Sequence, residues 1–229
     1  MDKKFKIWHI SDTHTYHGLL NVPKDIDVVI HSGDCSNPQD IVKSHSEILD
    51  FINWFSMLPI KYKIFVAGNH DVAIECKWIT KDHFTEKGII YLENESITIE
   101  GVNIWGSPFT PSFGNGWAFN KKRDKLHDLW VIIPDDINIV ITHGPPKGIL
   151  DLSYNRENIL EFCGCNALKK RMLQLQPELC LFGHIHNCED IINAGTTKLS
   201  TYKTIYSNGS VVTDGKFGRL SSNGNIFEI

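Results

Sequence analysis

The amino-acid sequence predicts an α/β fold in one domain spanning 1–229, on three observations. Near-continuous apolar runs such as IDVVIH (26–31), INIVIT (137–142) and ELCLF (178–182) suit strands buried on both faces. Stretches of helical period lie between those runs. No repeat, low-complexity linker or composition shift divides the chain.

The elements follow in order. FKIWHI (5–10) has the apolar, β-branched character of a strand and stops at the polar cluster SDTH. IDVVIHSGD (26–34) is a second strand ending in a glycine turn. Residues 40–58 place Ile41, Ile48, Leu49, Ile52 and Phe55 near helical spacing, and Pro59 ends that helix. YKIFVAGNHD (62–71) is again a strand running into a glycine turn. Residues 72–86 are expected to be helical, and Ile89–Leu92 to form a short strand. Residues 96–108 read as two strands around a Glu-Gly turn. Residues 108–126 read as an aromatic-rich loop whose basic end opens a helix. INIVITHGPP (137–146) is a strand, 157–175 a helix closed by Pro177, and ELCLFGHIH (178–186) a strand. The tail, 190–229, is expected to form β-hairpins.

The bulk properties narrow the classes of function. A formal net charge of −4 gives no electrostatic reason to expect a large nucleic acid as partner. No apolar run is long enough to span a bilayer. MDKKFKIWHISDTH lacks the apolar core and cleavage site of a signal peptide, so a cytoplasmic location is expected. The six cysteines are then expected as reduced thiols, and Cys163-Gly164-Cys165 is a weak soft-metal or redox pattern.

The 11 histidines matter by where they fall. Five times an apolar strand ends, the chain turns, and an Asp, Asn or His appears. The five sites are Asp12-x-His14, Gly33-Asp34, Gly68-Asn69-His70-Asp71, His143-Gly144 and Gly183-His184-x-His186. Loops at the carboxyl ends of strands on one sheet edge could bring these groups together. Each element alone is what an ordinary turn looks like. Turns do not, however, require Asp12, His14, Asp34, Asn69, His143, His184 and His186 all at strand ends. Carboxylate, imidazole and one amide oxygen suit Mn²⁺, Fe or Zn²⁺. Cys35 and Cys188, beside these loops, read as small packing residues. The ligand set is too large for one tetrahedral ion and suits two ions sharing a carboxylate, an arrangement that activates water for in-line attack at phosphorus.

In this order D-x-H, G-D, G-N-H-[DE], H-G and G-H-x-H resemble the calcineurin-like metallophosphoesterase superfamily. The resemblance runs from Asp12 to His186. It implies a four-layer α/β/β/α sandwich and two divalent metal ions, Mn²⁺ foremost, with Fe, Zn²⁺, Ni²⁺ or Co²⁺ also compatible. Carried over by motif, Asp12, His14 and His186 would hold one ion, and Asn69, His143 and His184 the other. Asp34 would bridge them, and His70 would contact the phosphate and assist protonation of the leaving oxygen.

The D-R-G of protein Ser/Thr phosphatases is replaced here by GDCSNPQD, and the Tyr ligand of purple acid phosphatases is missing after the GD. FINWFSMLPIKYKIFVAGNHD, THGPPKGILD and PELCLFGHIHN are similar to the small MPPED-type phosphodiesterases and to class III cyclic-nucleotide phosphodiesterases. That similarity implies a phosphodiesterase of small diesters, 2′,3′- or 3′,5′-cyclic nucleotides foremost. A phosphomonoesterase, or a non-catalytic nucleotide- or protein-binding module on the same fold, is the alternative. Asn37 stands where related enzymes carry a carboxylate that orients the catalytic His, and its side-chain carbonyl is expected to substitute. The GNH motif ends in Asp71 where those related enzymes have Glu. In the loop Phe109–Asn120, Trp117 and Phe119 either cover a nucleobase or pin the loop to the core.

Overall fold

Along strand Lys6–Ile10, Trp8 and Ile10 pack into one buried cluster while Ile7 packs into another on the opposite side. That two-sided burial follows from the period of a strand, and it recurs through both sheets. The computed structural model describes residues 5–37, 40–155, 157–188, 190–214 and 218–229.

In chain order the elements are β1 (Lys6–Ile10), β2 (Val28–His31), α1 (Ile41–Met57), β3 (Tyr62–Phe65), α2 (Val72–Glu75), α3 (Lys81–Thr85) and β4 (Ile90–Tyr91). There follow β5 (Glu95–Ile99), β6 (Val102–Ser107), β7 (Thr110–Pro111), β8 (Asn120–Lys121), α4 (His127–Trp130), β9 (Ile139–Thr142), β10 (Leu152–Tyr154) and β11 (Leu160–Phe162). The chain closes with α5 (Asn166–Leu175), β12 (Leu179–Phe182), β13 (Gly195–Lys198), β14 (Ile205–Asn208) and β15 (Asn225–Glu228).

One sheet has the order β15-β1-β2-β3-β4, the other β13-β14-β12-β9-β6-β5. β1 to β4 run parallel, as do β6, β9, β12 and β14, and antiparallel strands lie at the edges. Ile7, Val28, Ile30, Ile64, Ile139, Ile141 and Leu181 fill the space between the sheets. Trp8, Val29 and Phe65 face the helical layer that contains Phe51 and Phe55 of α1. Val140, Cys180 and Phe182 face the layer of Trp130 and Met172, on α4 and α5. The result is the four-layer α/β/β/α sandwich. Each Ile or Leu so buried contributes roughly 1.5–3 kcal/mol. Cutting Ile141 to Ala would cost about 2–5 kcal/mol by leaving a cavity between the sheets.

Local chemistry sets the boundaries. Asp40 caps α1 by accepting the Lys43 N–H at 2.9 Å, and the helix stops two residues before Pro59. The helix expected over 72–86 is two short ones. Lys77 adopts a left-handed φ of 61°, and Thr80 restarts the chain with its N–H on His83 Nδ1 at 3.2 Å. The helix expected over 157–175 begins only at Asn166. Leu160–Phe162 instead pairs antiparallel with Leu152–Tyr154. The Asp151 carboxylate pins the chain just beyond, accepting the Gly148 and Gly164 N–H groups through one oxygen. In the tail, β13 and β14 form the expected antiparallel pair. β15 leaves it to pair with β1. The loops that carry the site leave β1, β2 and β3 in one sheet and β9 and β12 in the other. They therefore converge across two sheets, not along the edge of one. The two meet where Ser11 bridges Ser210 and the Ser11 N–H donates to Gly209 O at 2.8 Å.

Candidate metal centre

Asp12, His14, Asp34 and His184 all have positive φ, at 50°, 41°, 58° and 71°. Non-glycine residues avoid this region at a cost of about 1–3 kcal/mol each, so four in one place mark a site held by its surroundings. Gly183 is required for another reason. A Cβ there would overlap the Asp12 carboxylate and Ser11 Oγ, so only glycine lets β12 end against β1.

The loops bring three overlapping groups of ligand atoms together: Asp12, His14 and His186; His14, Asp34 and His70; and Asp34, His143 and His184. Within each group the ligand atoms lie within 4.8 Å of one another. Asn69 joins the third, with its Oδ1 2.9 Å from His143 Nε2. The structure thus gathers all eight residues singled out in the sequence, Asp12, His14, Asp34, Asn69, His70, His143, His184 and His186. Asp12, Asp34, Asn69 and His143 are essentially inaccessible to solvent.

The tautomers are fixed by carbonyl oxygens, which can only accept. His14 Nδ1–H donates to Ser36 O at 3.0 Å, His143 Nδ1–H to Ser32 O at 2.9 Å, and His70 Nδ1–H to Asn37 O. Each ring therefore turns Nε2 inward. His143 Nε2 then meets two oxygens, Asn69 Oδ1 at 2.9 Å and Asp34 Oδ2 at 3.2 Å. His14 Nε2 faces His186 Nε2 at 3.4 Å. Lone pairs aimed at one another in a buried cleft require a cation or an extra proton between them.

Without metal, protons supply that charge. Burial alone would lower His143, but Asp34 beside it lifts it to about 9. His186 is likewise raised against burial, by its hydrogen bond to Asp12. Burial would raise both carboxyls. The His143 and His70 imidazoles nevertheless draw Asp34 down, and the His186 hydrogen bond draws Asp12 well below the carboxylate range. Burial lowers His184 to about 3 and His14 to about 4, leaving both as neutral imidazoles suited to ligation. Two carboxylates, an amide oxygen and four imidazoles, those of His14 and His143 with Nδ1–H on a carbonyl, form a donor set that fits divalent ions.

Outer contacts orient this set. Asp12 accepts Ser210 Oγ–H at 2.7 Å and the His184 N–H at 2.9 Å through Oδ2, while Oδ1 faces His186 Nε2 at 3.1 Å. The Asn208 amide donates to Ile185 O and the Asn193 amide to His186 O, fixing the GHIH turn. Asp71 is a buried hub: it accepts from the N–H groups of Asp34, Gly68 and Ser36 and from Cys35 Sγ. Burial, with the charge of Asp34, raises Asp71 to about 6. Its motif position gave a hint of this, whereas nothing in the sequence marked Ser210, Asn193 or Asn208. Asn37 differs from expectation. Its backbone carbonyl, not its side chain, accepts from His70, and its amide donates to His14 O at 3.1 Å. Cys165 caps α5 at Leu168 N and accepts from Trp130 Nε1, which gives that half of the Cys163/Cys165 pair a structural role.

The calcineurin-like phosphoesterase model matches residues 5–188, the stretch that carries all eight residues. The chain belongs to the calcineurin-like phosphoesterase family. Within the family, metallophosphoesterase domain-containing protein 1 of Homo sapiens is 33% identical over 89% of this chain and 65% of its own length. The chain thus spans just under two thirds of that relative. UPF0046 protein K07C11.7 of Caenorhabditis elegans is 34% identical over 84% of this chain and 67% of its own. The crystal structure of phosphopantetheinyl hydrolase from Mycobacterium tuberculosis superposes with a TM-score of 0.59 at 13% identity, covering 92% of this chain and 90% of that one. At that identity it is the fold that is shared. Divalent metal ions go with this family, and the clustered His and Asp residues of this chain are able to bind them. No helix among the described residues is long and apolar enough to cross a membrane.

Proposed function

We propose that the chain hydrolyses small phosphodiesters, nucleotide diesters among them, at a centre for two divalent ions. The observation that carries this is the position of Asp34, whose carboxylate belongs both to the group with His14 and His70 and to the group with His143 and His184. Asp12, His14 and His186 would hold one ion, Asn69, His143 and His184 the other, and Asp34 both. Bound there, the ions would supply electrophilic stabilisation of the phosphoryl oxygens and an acidified water, with Mn²⁺ the favoured metal.

The protein's own groups do the rest. His70 is held by Asn37 O through Nδ1, which leaves Nε2 3.9 Å from Asp34 Oδ2 at the open side of the cluster. From there it serves as the acid for the departing ester oxygen. The His70 N–H also donates to Asp34 Oδ1 at 2.7 Å, tying the acid to the carboxylate that it works beside. Supporting a diester over a monoester, the cluster opens into two recesses. One, of about 250 Å³, lies by His14, Tyr16, Asn37 and His70, and the other, of about 160 Å³, by Asn69, His70 and His184.

The test is a panel of monoesters, linear diesters and both classes of cyclic nucleotide on Mn²⁺-loaded protein. Metal-stimulated turnover of diesters is expected, with His70→Ala retaining metal but losing at least about 100-fold in kcat. Turnover confined to monoesters, or none with any metal, contradicts the proposal.

A further inference from the structure

His14 and His143 rest their Nδ1–H groups on the carbonyls of Ser36 and Ser32, two serines that solvent does not reach. His70, the candidate acid, rests instead on the carbonyl of Asn37, an exposed residue. A carbonyl at an exposed position is free to turn toward water unless its residue is held from elsewhere. We infer that Glu47, on α1, does the holding, and that it is a positioning residue that aims His70. This inference rests on the reading of His70 as the acid. It also finds, on a helix, the carboxylate that position 37 lacks.

The contact is direct. The Asn37 N–H donates to Glu47 Oε2 at 2.8 Å. Such a bond to a charged acceptor is roughly twice as strong as one between neutral groups. The Asn37 side-chain amide donates to His14 O at 3.1 Å, a second tie on the same residue. Held at both points, Asn37 keeps its carbonyl in one direction, and the His70 ring takes its direction from that carbonyl. Glu47 thus acts on the imidazole through the backbone of one residue.

Helix α1 is placed to serve both sides of the acid. Ser44 and Glu47 are one helical turn apart and share a face. Ser44 Oγ accepts the Ala73 N–H at 3.2 Å and lies 3.4 Å from His70 O, which fixes the chain just after His70. Glu47 fixes the residue on which the ring rests.

Packing alone does not replace this contact. The His70 ring is flanked by His14 at 4.7 Å and Trp117 at 4.5 Å between centroids. Of the two rings singled out in the aromatic loop, Trp117 therefore packs on the candidate acid, while Phe119 is buried and pins the loop to the core. Ring contacts do not choose between Nδ1 and Nε2. The bond to Asn37 O does, and it leaves Nε2 toward Asp34.

Two diesters that differ in the leaving phenol test this: methyl p-nitrophenyl phosphate and methyl phenyl phosphate. Phenolate is the more basic leaving group and depends more on an acid. In Glu47→Ala, kcat for the phenyl ester should fall about tenfold or more, a part of the roughly 100- to 10,000-fold that a positioned acid contributes. The p-nitrophenyl ester should lose little, with KM and Mn²⁺ affinity unchanged. Glu47→Gln, which keeps an oxygen for the Asn37 N–H, should recover most of the rate. In a His70→Ala background, Glu47→Ala should cost nothing further. No loss in Glu47→Ala, equal losses on the two esters, or a full loss in Glu47→Gln overturns the assignment and leaves the diesterase reading standing.

Should the wild type turn over neither ester, the diesterase reading fails, and hydrogen exchange decides Glu47 alone. The His70 Nδ1–H signal of ¹⁵N-labelled, metal-free protein is identified by its loss in His70→Ala. It should exchange with water about tenfold or more faster in Glu47→Ala than in the wild type, the scale of one hydrogen bond. Equal exchange, or no protected signal in the wild type, overturns the positioning role.

Discussion

The Asp34 carboxylate and the His143 imidazole face each other at 3.2 Å, Oδ2 to Nε2, with both side chains almost wholly withdrawn from solvent. Because His143 Nδ1–H is already committed to Ser32 O, only a proton or a metal ion can sit between these two atoms. Asp34→Asn removes the charge that either one neutralises. Its Mn²⁺ affinity should fall by more than about 100-fold, beyond the range seen for outer-contact changes. Isothermal titration measures it, and an unchanged affinity would separate Asp34 from the metal.

The Ser210 hydroxyl reaches the centre through Asp12, at 2.7 Å. Ser210→Ala should lower metal affinity about 10–100-fold while costing only about 1 kcal/mol of folding stability. Competition with a chelating dye and urea unfolding report the two effects. A large loss of stability with unchanged metal binding would make Ser210 a packing residue.

Asp71 gathers three backbone N–H groups from two loops. Asp71→Ala leaves them buried without an acceptor, at about 1–3 kcal/mol for each one left unsatisfied. Urea unfolding of the metal-free protein should show a loss of at least about 3 kcal/mol. A loss below about 1 kcal/mol would mean that the loops hold themselves.

Metal-free stability should peak near neutral pH. Burial holds His9 and His31 down at about 3, and Gly33 N–H donates to His31 Nδ1, which keeps that ring neutral. The unfolded chain takes up their protons below about pH 6.5, so their contribution is complete above that pH and is lost as pH falls toward 3. His143, lifted to about 9, acts with the opposite sign: its contribution is complete below about 6.5 and lost as pH rises through 9. Thermal midpoints in chelator between pH 4.5 and 9.5 should therefore form a dome, and saturating Mn²⁺ should flatten its alkaline side by replacing the proton on His143. A flat profile in chelator contradicts this assignment.

The candidate site was legible because its chemistry is local and ordered. Each of Asp12, Asp34, Asn69, His143 and His184 comes within four residues of the end of an apolar strand, so a strand end and a ligand type could be read together. The alternation of Ile7 against Trp8, or Ile139 against Val140, could not be seen in unbroken apolar runs, because a strand buried on both faces has no polar side to mark its period. The sequence predicts helix over Leu160–Phe162 because LEFCG has no distinct period and its strand partner, Leu152–Tyr154, lies across a turn. Ser210 stayed hidden for a plainer reason: it meets Asp12 from 198 residues away.

The central claim is a centre for two ions that share Asp34, and counting metal tests it most directly. Chelator-stripped protein dialysed to saturation with Mn²⁺, then analysed by elemental mass spectrometry, should hold two ions per chain, and Asp34→Ala should hold at most one. A saturating count of one in the wild type, or two in Asp34→Ala, would contradict it.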